Sequence, residues 1–227
     1  MNPPIPLFTS RLQECLNLQY LYWTEATEYA TSLESDLITT TDFVFPKLTH
    51  LEYYVLDHPS PFSYLEAPSL EKIEFGNGSQ VISLQALAHL MPGIKERVHT
   101  LQLYRTTFDE KALETFCLTL PALKCVKFHW CHIPASFFCF LMPKSNPDIP
   151  GAPLVDSMTI QSGDFCINTL TALLHVKSIA SVPPSPWKAF ENVTLSGTYY
   201  EISPEDLVEF QTSFPDIIRL KLDEPLL

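Results

Sequence analysis

The residues best equipped for chemistry crowd into one short stretch: Cys125, His129, Cys131, His132 and Cys139. Thiolates and imidazoles are ligands that zinc selects, and a cysteine beside a histidine pairs a nucleophile with its base. The spacing supports neither use. The thiols form no Cys-x-x-Cys pair, and a nucleophile needs a base held by a third group, for which no Gly-x-Ser-x-Gly elbow or similar signature is present. Gly76-Asn77-Gly78 turns the chain tightly but lacks the Gly-Lys-Ser/Thr continuation that holds phosphates. Asp206 and Glu209 stand three apart, the spacing of a solvated helix face. Asn77-Gly78-Ser79 and Asn192-Val193-Thr194 fit the N-glycosylation pattern, which has a use only in an exported chain. The reading is no catalytic, cofactor-binding or metal-ligating residue, and no enzyme. A hydrolase or metal-dependent enzyme built on the region from Cys125 to Cys139 is the minor alternative.

The elements that would position these residues announce themselves through a repeat. Apolar residues in the spacing Leu-x-x-Leu-x-Leu return eight times, at starts 22 to 35 residues apart. The trios are Leu18, Leu21, Trp23; Leu48, Leu51, Tyr53; Leu70, Ile73, Phe75; Val98, Leu101, Leu103; Leu123, Val126, Phe128; Val155, Met158, Ile160; Phe190, Val193, Leu195; and Ile217, Leu220, Leu222. Pro46, Pro68, Pro121, Pro153 and Pro215 each stand two residues before a trio, where a residue without an N–H ends a helix and admits a strand edge. A short strand per repeat, with helical patterns between, is the signature of a leucine-rich repeat. Helices are predicted around Ala26 to Leu37 and over 83–91, 109–120, 134–142, 167–176 and 203–214; Ser203-Pro204-Glu205-Asp206 supplies an N-cap, a proline at the first helical position and first-turn carboxylates. The stretch from Leu173 to Phe190 reads as the end of a helix followed by a proline-rich connector. The fold expected is an α/β leucine-rich-repeat solenoid of about eight irregular repeats. Its parallel sheet lies on the concave face and its helices on the convex face, with residues 1–227 forming one domain.

If the trios point inward, the residues beside them point out, because strand side chains alternate. Three outward columns follow. One runs Tyr20, His50, Lys72, Thr100, Cys125; the next Tyr22, Glu52, Glu74, Gln102, Lys127; the third Thr24, Tyr54, Gly76, Tyr104, His129. Tyrosine combines a large contact area with one polar end, which suits a protein-binding face. Tyr20, Tyr22, Glu52, Tyr54, Glu74 and Tyr104 are the candidate patch.

Composition narrows the partner. A net charge of −12, with only 14 lysines and arginines spread over 227 residues, argues against nucleic acid. No apolar run is long enough to span a membrane, and Met1-Asn2-Pro3-Pro4 does not open a secretory signal, so the cytoplasm or nucleus is expected, with six reduced cysteines.

Phe45-Pro46-Lys47-Leu48-Thr49-His50-Leu51, Ala67-Pro68-Ser69-Leu70-Glu71-Lys72-Ile73 and Leu120-Pro121-Ala122-Leu123-Lys124-Cys125-Val126 resemble the irregular repeats of F-box leucine-rich-repeat proteins, particularly the large fungal groups. The resemblance runs from about Ser10 to Leu222. It implies substrate recognition in ubiquitination: in that family an N-terminal F-box docks on a cullin-based ligase and the repeats capture the protein to be modified. The residues before Leu18 are too few for an F-box and hold no Leu-Pro-x-Glu-Ile-like stretch, so the domain is expected to lack an F-box or flanking capping repeats. A ligase adaptor would then bind only through an F-box supplied elsewhere. A free-standing scaffold or inhibitor is the alternative.

Overall fold

The computed structural model describes residues 15–24, 43–54, 65–76, 97–106, 110–143, 152, 154–181, 186–197 and 202–221. The helices expected around Ala26 to Leu37 and over 83–91 lie outside them, as do Asn77, Pro153 and Leu222. In chain order the first strands are β1 (Tyr20–Thr24), β2 (Phe43–Val44), β3 (His50–Tyr54), β4 (Leu65–Glu66), β5 (Lys72–Gly76) and β6 (Thr100–Tyr104). Helix α1 (Glu110–Leu118), β7 (Cys125–His129), β8 (His132–Ile133) and α2 (Ala135–Leu141) follow. The chain continues through β9 (Ser157–Gln161), β10 (Asp164–Phe165), α3 (Ile167–Ala180), β11 (Asn192–Ser196), α4 (Pro204–Ser213) and β12 (Ile218–Lys221).

Eight of these strands form one open parallel sheet in the order β1-β3-β5-β6-β7-β9-β11-β12, so each strand lies beside the next one in sequence. The register matches the spacing of the repeat. Leu21 pairs with Leu51, Leu51 with Ile73, Ile73 with Leu101, Leu101 with Val126, Val126 with Met158 and Met158 with Val193. A one-residue slip would turn every anchor to the other face, and burying one face forbids it. Leu51, Leu101, Val126, Met158 and Val193 are all buried beneath the sheet. Helix side chains close that face: Phe116 of α1 meets Phe75, and Phe137 of α2 meets Phe128, edge to face with ring centroids 5.8 and 5.5 Å apart. Two shorter parallel pairs, β2 with β4 and β8 with β10, link successive turns.

The last repeat departs from the predicted register. Ile218, not Leu220, lies opposite Val193, and Leu220 lies opposite Leu195. The turn before the strand is conventional, with the Ile217 N–H donating to Phe214 O as the Leu48 N–H does to Phe45 O. The strand then begins two residues early, and the tandem Ile217-Ile218 made both registers compatible with an apolar pattern. Arg219, opposite Thr194, and Lys221, opposite Ser196, therefore each fall one column over from the place that the predicted trio would give them.

The prolines also set the turn that leads into each strand. Pro46, Pro68 and Pro121 occupy the second position of four-residue turns closed by Leu48 N–H to Phe45 O, Leu70 N–H to Ala67 O and Leu123 N–H to Leu120 O. Proline presets φ for that position, and its missing N–H goes unneeded there.

The helices follow the 3.6-residue period. Among the described side chains, those buried on α1 are Leu113, Phe116 and Cys117, and those on α3 are Leu170, Leu173, Leu174 and Lys177. The α3 helix extends four residues past the predicted end at Val176, so Val176 and Ile179 belong to a helix. Helix α4 starts as predicted, with Asp206 N–H donating to the Ser203 hydroxyl at 3.0 Å. Among the described residues no helix is long and apolar enough to cross a membrane.

Candidate binding face

Because the anchors alternate with polar residues along each strand, the sheet presents its second face as the three predicted columns. Register places Tyr22 opposite Glu52, Glu52 opposite Glu74 and Glu74 opposite Gln102. Tyr54 lies opposite Gly76, and Gly76 opposite Tyr104. All six residues singled out from the sequence thus share one face, across β1, β3, β5 and β6.

Their exposure differs. Tyr20 and Tyr22 are 47% and 52% exposed. Glu52, Tyr54 and Tyr104 are half-buried. Glu74 corrects the expectation of an exposed acidic pair, being only 5% exposed on the nominally open face. Its carboxylate pairs with the Lys72 ammonium and lies 2.7 Å from His50 Nε2, and Tyr104 hydrogen-bonds to it as well. Gln102, equally covered, donates to the Tyr104 hydroxyl.

The rings form a connected row. Tyr22 and Tyr54 have centroids 5.7 Å apart, Tyr54 and Tyr104 6.3 Å, and Tyr104 and His129 4.5 Å in a stacked pair. These are the separations at which aromatic pairs attract beyond simple burial. Gly76 is what lets the row cross β5. A Cβ there would lie 2.0 Å from Tyr54 Cε1, so the tyrosine ring occupies the space any larger residue would need. At the far end the Arg105 guanidinium lies 5.3 Å from the Trp130 ring centroid, a cation–π contact.

Glu52 is the centre of the aromatic half. The Tyr20 hydroxyl donates to its Oε2 and Tyr54 also hydrogen-bonds to it. The hydrogen bond to Glu52, then burial, pushes the Tyr20 phenol up to about 12. Burial and then the Glu52 hydrogen bond raise that of Tyr54, and burial followed by the charge of Glu74 raises that of Tyr104. All three phenols therefore stay neutral donors at neutral pH.

The sulfur-rich stretch does not assemble. Cys131 is buried, with its Sγ 3.4 Å from Leu103 O and 3.3 Å from His129 O, and burial pushes its thiol up. His132 and Cys139 are exposed. Burial likewise raises the half-buried Cys125. A protonated thiol is neither nucleophile nor metal ligand, and no disulfide links the six cysteines. Among the described residues the group whose ligand atoms come within 4.8 Å of one another is His50, Glu52 and Glu74. The Lys72 ammonium already pairs with the Glu74 carboxylate there, while Glu52 hydrogen-bonds to the Tyr20 phenol.

Sequence reasoning placed His50, Lys72, Gly76 and His129 in the columns but did not select them, and it missed Trp130. Trp130 follows the strand in the left-handed region, at φ 54°, as Arg105, Ser162 and Gly197 do at φ 46°, 49° and 88°. In each the backbone N–H reaches the last carbonyl of the neighbouring strand: Arg105 to His129 O, Trp130 to Gln161 O, Ser162 to Ser196 O and Gly197 to Lys221 O. Only Gly197 carries the residue type that signals such a conformation.

No protein-family model, curated protein or solved structure matches the chain.

Proposed function

We propose that the chain is a leucine-rich-repeat solenoid, sheet concave and helices convex, that works as a non-catalytic protein-interaction module. The observation that carries this reading is the connected row Tyr22, Tyr54, Tyr104 and His129 on the face opposite the core. In-register anchors on successive strands support the solenoid. Aromatic residues with polar tips, half desolvated before any partner arrives, lose little conformational entropy on binding and are enriched where protein interfaces carry their energy. The raised phenols and thiols offer no activated nucleophile among them.

The narrower version, a receptor for ubiquitination substrates, rests on the resemblance to F-box repeat proteins; a free-standing scaffold or inhibitor is the competing version. One experiment separates them. The tagged full chain and a Tyr20→Ala/Tyr22→Ala double variant are used as baits in the source cell, after circular dichroism shows both equally folded. The expected result is a protein retained by the wild type and lost from the variant. Cullin-ligase subunits on both baits would favour the receptor, and their absence the scaffold or inhibitor. Identical protein sets on both baits would overturn the binding face.

A further inference from the structure

The two carboxylates of this face differ in one respect that bears on the partner. Glu74 is paired from within the sheet by the Lys72 ammonium, with His50 Nε2 2.7 Å from its carboxylate. Glu52 forms no ion pair within 4.0 Å among the described residues: the nearby His50 imidazole, within 4.8 Å, is turned to Glu74, and the hydrogen-bonding neighbours of Glu52 are the phenols of Tyr20 and Tyr54, which donate without contributing charge. Tyr22 stands directly across the strand pair from it, with its ring against Tyr54. Glu52 thus carries a negative charge with no ion-pair partner within 4.0 Å among the described residues, beside three tyrosine rings of which those of Tyr20 and Tyr22 are exposed.

A carboxylate accepts about four hydrogen bonds and the two phenols use two of them. The group that completes this arrangement must be cationic, must donate more than one hydrogen bond and must gain from lying against an aromatic ring. A guanidinium meets all three demands: its planar fork of donors matches a carboxylate, and its face stacks on rings, whereas an ammonium is a compact, strongly hydrated charge. The same sheet already holds one such contact of its own, Arg105 against Trp130 at 5.3 Å. The net charge of −12 favours a basic partner at longer range.

We infer that the face binds a protein segment presenting an arginine, whose guanidinium pairs with the Glu52 carboxylate and lies against the ring of Tyr22. The inference rests on the protein-binding reading and names the chemistry of its partner.

The test is fluorescence anisotropy of a labelled, end-blocked hexapeptide of alternating glycine and arginine, titrated with the full chain at 0.15 M salt. A lysine peptide of the same pattern is the companion probe. Glu52→Gln keeps an acceptor for the two phenols and removes the charge. Glu209→Gln removes an equal charge from the exposed side of α4, away from the face. The expected result is a roughly tenfold weaker arginine peptide with Glu52→Gln, a change within twofold with Glu209→Gln, and a weaker lysine peptide throughout. Equal losses in the two glutamate variants would reduce the binding to general charge attraction and overturn the inference, as would a wild-type chain that leaves the arginine peptide free. A cellular partner lost with Tyr20→Ala/Tyr22→Ala but retained by Glu52→Gln would sink the inference and leave the protein-binding reading standing.

Discussion

Lys177 stands where the apolar stripe of α3 has room for a leucine, at the position after Leu170, Leu173 and Leu174 on the buried side. Its side chain is 0% exposed. The ammonium donates to Val155 O and lies 4.6 Å from the Phe190 ring centroid. One carbonyl and one ring do not replace a hydration shell, so burial pushes the ammonium down to about 8, against the pull of Asp156 in the opposite sense. Between that value and the ordinary 10.5, the unfolded chain holds a proton that the native chain has released. Stability contributed by this group therefore rises as pH climbs through the window, and below about pH 8 the charge costs roughly 3 kcal/mol relative to a solvated lysine. Lys177→Met keeps the length of the side chain, removes the charge and leaves Val155 O one donor short. The stability difference, variant minus wild type, is expected to fall by roughly 3 kcal/mol between pH 8 and pH 10.5 in urea denaturation. Taking the difference cancels other groups that titrate nearby, such as Cys117, whose thiol burial pushes up to about 12. A flat difference would mean that the ammonium is solvated, and a rising one that its surroundings hold the proton more tightly than water does; either would contradict the burial cost. Nothing in the helical period marked this lysine, because a long basic side chain at an inward position also fits a stem that reaches water.

At the scale of the element, the strands were legible and their rims were not. Seven of the eight trios hold in the sheet register because two constraints coincide, an apolar spacing of two within each strand and a parallel partner that demands the same phase. The eighth is displaced by two residues, which keeps the same side chains on the same face, because Ile218 is apolar at the inward phase as Leu220 and Leu222 are. The outward columns followed from alternation alone. Which of their members would be covered depended on rings reaching across strands, as Tyr54 reaches over Gly76. That contact gives the sheet its most direct test. Gly76→Ala places a Cβ 2.0 Å from Tyr54 Cε1 and 2.3 Å from Cδ1, so the ring has to swing away from β5. The obstacle is the end of a side chain, and the expected stability loss is about 1 kcal/mol in thermal denaturation. The row from Tyr22 to Tyr104 would nonetheless be broken, and the same protein partner should be lost as with Tyr20→Ala/Tyr22→Ala. A Gly76→Ala chain that retained its partner at full strength would show that Tyr54 and Tyr104 act independently.

At the scale of the whole molecule acidic residues outnumber basic ones, and few charges are paired among the described residues. Acidic residues number 26 and basic ones 14, and the ion pairs among the described residues are Glu74 with Lys72 and with His50, and Glu71 with His99. Two of these share one carboxylate, and the third joins two exposed partners 3.7 Å apart. Exposed pairs of that kind contribute little. Self-repulsion of an excess of 12 negative charges, by contrast, is felt more in the folded chain than in the expanded unfolded one. Salt acts on the two contributions in opposite directions. Raising sodium chloride from 0.01 to 0.15 M shortens the screening length from about 30 to about 8 Å, which quiets repulsion across the surface while leaving the covered Glu74–Lys72 contact nearly intact. The midpoint of thermal unfolding at pH 7.5 should therefore rise with salt, by about 2–4 °C for a gain on the order of 1 kcal/mol in a chain of this length. Chloride is the anion to use, since sulfate would strengthen apolar burial by a separate route. A midpoint that fell would mean that attractive pairs outweigh the net charge. The same titration bears on the arginine reading: general attraction to a surface of this charge weakens along with the repulsion, so the part of peptide binding that survives 0.15 M salt is the part that Glu52 and the rings around it must supply.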